Sequence, residues 1–155
     1  LFLAKSQNLI VEKNNINLDN TLKEVIDNLS FAYPKQKINY TSSEIFIDSD
    51  IALLKLLFKN LIENAIKYGK DNPVNIELKK EKKVKLIIED FGVGISEKAL
   101  PHIFERFYRE DEARNREIKS YGLGLSIVKE IISLLDIDIQ VESQLGKGTK
   151  ITLLF

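Results

Sequence analysis

The chain has 155 residues, long enough for one domain with a sizeable core, and 44% of them are apolar. Lys plus Arg and Asp plus Glu are both 23, so there is no basic excess of the kind that binds nucleic acid. Cysteine is absent, which excludes a disulfide framework and thiolate metal sites, and no apolar run reaches the roughly 18 residues of a membrane span.

In chain order, residues 1–12 read as the helical tail of something upstream, leaving 13–155 as the domain proper. The chain begins at Leu1 and contains no methionine, so a fragment of a longer protein is expected. Residues 18–33 carry Leu18, Leu22, Val25, Ile26 and Leu29 at helical spacing, with Asp19 or Asn20 in the first turn and Pro34 at the end. "KINYTSS" and "IFIDS" read as short strands. Residues 50–68 form a long helix closed by Gly69. "NIELKKE" and "KVKLIIED" form a hairpin that turns at Glu81–Lys83. A short helix is expected from Ser96, as its N-cap. Residues 105–120 are crowded with both charges and read as a mobile loop. A helix over about 122–135 and two strands, "DIQVES" and "KITLLF", joined through "QLGKG", complete the chain. The elements suggest an α+β sandwich: a mixed sheet of about five strands with about three helices on one face.

Three constellations stand out. In "VKLIIEDFGVGI", Val84, Leu86, Ile88 and Asp90 share one strand face, so Asp90 is a carboxylate aimed at the core and in need of a donor. Protein or ligand could supply it. Gly92 and Gly94 permit a sharp turn or a close approach. In the long helix, Asn60, Asn64 and Lys67 lie within about 60° of one another. They form a solvated stripe or continue the Leu53–Leu56–Leu57 face into a cleft, while Lys55, Lys59 and Glu63 mark the solvent side. Amide oxygens suit Mg²⁺, and Lys67 suits a phosphate. In "YGLGLSIVKEI", Gly122 and Gly124 open an apolar helix, either as an ordinary helix start or as an anion site. No dinucleotide fingerprint and no G-x-x-x-x-G-K-[ST] loop is present.

In order and spacing the motifs resemble one family, the bacterial sensor histidine kinases. "NLIENAIKYG" is similar to their N box, "DFGVGI" to the first glycine box, "FERFYR" to the F box, "YGLGLSIVK" to the second glycine box and "GKGTKITLLF" to the third. The resemblance covers nearly the whole chain and implies a two-layer α/β sandwich of the Bergerat type with a flexible ATP lid. It implies ATP and Mg²⁺ as ligands. Asp90 would accept from the adenine amino group, Thr149 would support it, and Gly92 and Gly94 would make room for the base, beside Ile95. Asn64, with Asn60, would hold Mg²⁺, Lys67 would reach phosphate and Tyr68 would line the base or ribose. Gly122, Leu123, Gly124 and Leu125 would cradle phosphates. Residues 105–120 would form the lid, with Tyr108 at its start and Arg109 approaching the γ-phosphate. Asn64 and Arg109 would carry the chemistry. Phe104 and Phe107 would anchor the lid.

Phe91 departs from the small or polar residue more usual there, with little effect expected. The "DFG" it creates is not that of eukaryotic protein kinases, whose H-R-D and Gly-rich loop are missing. The lone histidine, His102, is followed by Ile103 and does not resemble a phosphoacceptor; a structural role is expected. The resemblance thus implies a catalytic domain that phosphorylates a histidine on a separate dimerisation domain of the same protein, for relay to a response-regulator receiver domain. Residues 1–12 would be the end of that dimerisation domain. The fragment would be a monomer with little activity alone. The whole protein would be a homodimer anchored in the inner membrane, with this domain in the cytoplasm. Two rivals share the fold: a gyrase-type ATPase, which needs a glutamate where Asn60 stands, and a serine kinase. A degenerate nucleotide-binding interaction module is the third.

Overall fold

The computed structural model describes residues 10–108 and 124–155. Among them, in order, are β1 (Asn14–Asn17), α1 (Leu18–Ala32), β2 (Ile38–Thr41), β3 (Phe46–Ser49), α2 (Ile51–Tyr68), β4 (Val74–Lys80), β5 (Val84–Asp90), α3 (Gly124–Leu135), β6 (Asp138–Gln144) and β7 (Gly148–Leu154). Five strands form one mixed sheet in the order β2-β4-β5-β7-β6. Only the β2–β4 pair is parallel. The expected α+β sandwich is therefore present.

The alternation that makes β4 and β5 strands also gives the sheet its core face. Val74, Ile76 and Leu78 are buried on β4, and Val84, Leu86 and Ile88 on β5. Cross-strand pairing extends these into apolar rows: Leu86 opposite Leu153 and Leu153 opposite Ile139, then Ile88 opposite Ile151 and Ile151 opposite Val141. The helices cover this face. α2 packs against α1, α3, β4 and β5, so its apolar surface is wide: Leu53, Leu54, Leu57, Phe58, Leu61, Ile62, Ala65 and Ile66 are all buried. Phe58 is wholly enclosed and meets Phe155 edge-on at 6.5 Å. A ring so placed contributes about 3–5 kcal/mol, judged by what its removal costs in other cores.

Side chains fix the helix starts. Asn17 caps α1 by accepting from the Asn20 N–H at 3.0 Å. Asp50 caps α2, accepting from the N–H groups of Ala52 and Leu53 at 3.0 and 3.1 Å. Its other oxygen takes the Glu12 N–H at 3.0 Å, which ties down the chain before β1. Buried Asp19 joins α1 to β2 by accepting from the Tyr40 hydroxyl at 2.9 Å.

One strand is added and two expectations are corrected. β1, "NNIN", is a strand that its asparagines concealed; it pairs antiparallel with β3, and this pair forms a separate small sheet. The short helix from Ser96 is a set of turns ending in a 3-10 turn, Leu100–His102. Ser96 does cap it, accepting from the Ala99 N–H at 3.1 Å. Pro101 has no N–H to give to an α-helical ladder; the Leu100 N–H still reaches the Ser96 carbonyl, but those of His102 and Glu105 close over three residues. Glu63 is half-buried and held by Tyr33, the residue that follows α1, whereas it was expected on the solvent side of α2. Among the described residues no helix is long and apolar enough to cross a membrane.

Candidate functional site

The core face of the sheet changes character at one end. Past the row Ile88–Ile151–Val141, the next three cross-strand neighbours are Asp90, Thr149 and Ser143. Opposed residues of antiparallel strands put their side chains on the same face, so a polar row continues an apolar one. Asp90 is 6% exposed. Burial pushes its carboxyl above the usual carboxylate range, while the backbone N–H groups of Gly92 and Thr149 pull it back only in part. The Gly92 N–H donates to Asp90 Oδ1 at 3.0 Å. Part of the donor that Asp90 requires is thus protein backbone.

The glycines after Asp90 serve the protein itself. A Cβ on Gly92 would lie 1.7 Å from the carbonyl oxygen of Tyr68, and one on Gly94 would lie 2.0 Å from that of Gln144. Gly94 also has φ +66°. The space expected to admit a base is filled at these two positions by the end of α2 and by β6. The effect is to clamp the loop between them. Val93 N–H donates to the Tyr68 carbonyl at 3.0 Å, and Asn72 Nδ2 donates to the carbonyls of Gly69 and Phe91, both at 3.0 Å. Tyr68 is thereby held beside the loop that follows Asp90.

On α2, Asn60 Nδ2 donates to the Leu56 carbonyl at 2.8 Å, which leaves its Oδ1 as the open pole of the amide. A Cβ placed on Gly124 would lie 3.3 Å from that Oδ1 and 3.7 Å from both Oδ1 and Nδ2 of Asn64. The two asparagines therefore converge on the start of α3, where Gly124 and Leu125 lie. No three of His, Cys, Asp and Glu cluster among the described residues. The donors on offer to a hard cation are amide oxygens, with room for water and phosphate in the rest of its shell, and this fits Mg²⁺.

Lys67 Nζ lies 3.6 Å from Glu63 Oε1, and the same oxygen accepts from the Tyr33 hydroxyl at 2.8 Å. Burial, and then Glu63, push the Tyr33 hydroxyl up to about 12. A raised tyrosine pKa stabilises the fold fully below the unfolded value, near 10, and the stabilisation is lost as pH rises toward 12. Tyr33→Phe is expected to flatten the fall in urea midpoint across that window; an unchanged slope would show that the pairing is absent in solution.

The remaining expectations divide. Phe104 packs against the core and Phe107 is 71% exposed. His102 Nδ1 lies 2.7 Å from Glu105 Oε1, and its ring lies 5.5 Å from that of Tyr108. The Ile95 N–H donates to Ser143 Oγ at 2.8 Å. Arg109, Gly122, Leu123 and the lid from 109 to 120 lie outside the described residues. Ser143, Tyr33 and Asn72 were missed. Ser143 had a signal: Ile139, Val141 and Ser143 share one parity, as Ile88 and Asp90 do.

Residues 49–155 match the family described as histidine kinase-, DNA gyrase B- and HSP90-like ATPase. Over its whole length the chain is 39% identical to the sensor histidine kinase YkoH of Bacillus subtilis (strain 168), of which it covers 35%. It thus spans about a third of that relative. Among solved structures it is similar to the mycobacterial sensor histidine kinase MprB, with a TM-score of 0.82 at 20% identity, over 93% of this chain and 97% of that one. It is also similar to full-length ShkA in complex with AMPPNP, with a TM-score of 0.83 at 23% identity, over 97% of this chain and 33% of that one. At such identities these two likenesses bear on the fold.

Proposed function

The chain belongs to the histidine kinase-, DNA gyrase B- and HSP90-like ATPases, and as an ATP-binding domain of that family we propose that it transfers the γ-phosphoryl group of ATP to a histidine. That histidine stands on a separate dimerisation domain of the same protein, and a response-regulator aspartate then receives the group. The observation that carries this reading is the convergence of motifs far apart in sequence. The asparagines of α2 meet Gly124 of α3, while the end of α2 at Tyr68 meets the loop that follows Asp90.

In this reading Asp90 accepts from the exocyclic amine of adenine, Thr149 supports it, and Tyr68 and Ile95 border the base. Lys67 leaves Glu63 to neutralise phosphate. Gly122 and Gly124 cradle the phosphates with Leu123 and Leu125 beside them, and Tyr108 and Arg109 close over the γ-phosphate. Asn64 and Asn60 would hold Mg²⁺, which when bound offsets the charge on the phosphate oxygens. Glu63 is the sole carboxylate of α2, and its Oε1 is engaged by Tyr33 and Lys67, so it is poorly placed to activate water. This favours a kinase over a hydrolase. We assign residues 1–12 to the end of the dimerisation domain, and place the whole protein as a membrane-anchored homodimer with this domain in the cytoplasm.

The test supplies ATP labelled at the γ-phosphate and a separately produced dimerisation domain. Label on that domain that acid removes and base does not is expected, as for phosphohistidine. Label recovered as inorganic phosphate, or on a hydroxyl amino acid, would sink the proposal in favour of the ATPase or the serine kinase.

A further inference from the structure

The polar row at the end of the sheet holds one residue that the function above does not use. Ser143 Oγ has three partners: the Ile95 N–H at 2.8 Å, the Gly148 carbonyl oxygen at 2.9 Å and Thr149 Oγ1 at 2.8 Å. A serine hydroxyl has one proton and two lone pairs. The Ile95 N–H can only donate, so it takes one lone pair. The Gly148 carbonyl can only accept, so it takes the proton. The contact with Thr149 must then be one in which the Thr149 hydroxyl donates and Ser143 accepts. The reverse assignment would leave the Ser143 and Gly148 oxygens facing each other with no proton between them.

The consequence falls on Thr149. Its proton is committed to Ser143, so toward any ligand its Oγ1 offers lone pairs alone. Its neighbour in the row is the Asp90 carboxylate, which also accepts. We infer that Ser143 is a specificity-determining positioning residue: by taking the Thr149 proton it keeps the base end of the site an array of acceptors, which selects a purine bearing an amino group at position 6 over one bearing a carbonyl. Its bond to the Ile95 N–H also holds the loop after Asp90 to β6. This inference rests on the nucleotide-binding reading above.

The readout is a ratio, because a merely structural staple would weaken all nucleotides together. ATP and inosine triphosphate, which carries a carbonyl where ATP carries the amine, are titrated calorimetrically into the unaltered chain, Ser143→Ala and Ser143→Thr. The unaltered chain should prefer ATP. Ser143→Ala frees the Thr149 hydroxyl to turn its proton toward the base, and the preference should fall about tenfold, one hydrogen bond's worth. Ser143→Thr, which restores a hydroxyl, should recover most of the preference. If Ser143→Ala does not fold by thermal unfolding, Thr149→Val is expected to lower the same ratio, and an unchanged ratio in it overturns the inference. Equal weakening of both nucleotides, or no change, in Ser143→Ala overturns it likewise and leaves the functional reading standing. Absence of binding to the unaltered chain overturns both.

Discussion

Asp90→Asn is expected to weaken ATP binding by about a hundredfold while changing the free energy of unfolding by less than about 1 kcal/mol. The two effects separate because of where Asp90 lies. It ends the apolar row of β5 and is 6% exposed, so ionising it is costly, and its pKa is raised. A carboxylate whose folded pKa lies above its unfolded value stabilises the fold only at low pH; that contribution disappears as pH rises through the folded value. Once ionised, Asp90 therefore does the fold no service. Replacing it with an amide relieves the burial cost and offsets what the weaker bond from the Gly92 N–H loses. The ligand loses a charged acceptor and meets an amide that can turn a donor toward it. Titration calorimetry and urea unfolding on the same preparation check both halves. A large loss of stability would show Asp90 to be structural, and intact binding would remove adenine from that end of the site.

Gly92→Ala should have the opposite profile, costing about 3 kcal/mol or more and taking nucleotide binding with it. The added Cβ would lie 1.7 Å from the Tyr68 carbonyl oxygen and 2.6 Å from Gly69 Cα. Both are backbone and cannot swing aside as a side chain would. The loop must leave the end of α2, breaking the bond from the Val93 N–H to Tyr68 and those from Asn72 to Gly69 and Phe91. Phe91→Ala, one residue away, is the control. Its side chain is 45% exposed, and a change of no more than about 0.5 kcal/mol is expected. Equal unfolding midpoints for Gly92→Ala and the unaltered chain would mean that the loop does not sit against α2.

The contrast between these two residues shows what a sequence can carry. Asp90 was legible because the alternation through Val84, Leu86 and Ile88 fixes the face on which it falls, and β5 buries that face throughout. The run of α2 and the five-stranded sheet were legible for the same reason, a period sustained over many residues. Gly92 was legible as a close approach but not as to what approaches, since the Tyr68 carbonyl is 24 residues away along the chain and reaches it only in the fold. Glu63 was misplaced because helical angles place it beside Lys59, and nothing local says that Tyr33, just past the end of α1, packs there. β1 went unseen because three of its four residues are asparagine and only the pairing of Ile16 with Ile47 makes it a strand. Ser143 required the register of β6 on β7 before its parity acquired meaning.

The most direct measurement is a titration of the unaltered chain with a non-hydrolysable ATP analogue, with and without Mg²⁺, followed by calorimetry. The account predicts saturable binding of one nucleotide per chain, tightened when Mg²⁺, which Asn60 and Asn64 would hold, is present. Absence of saturable heat in both conditions would contradict it, and the interaction-module reading would replace it.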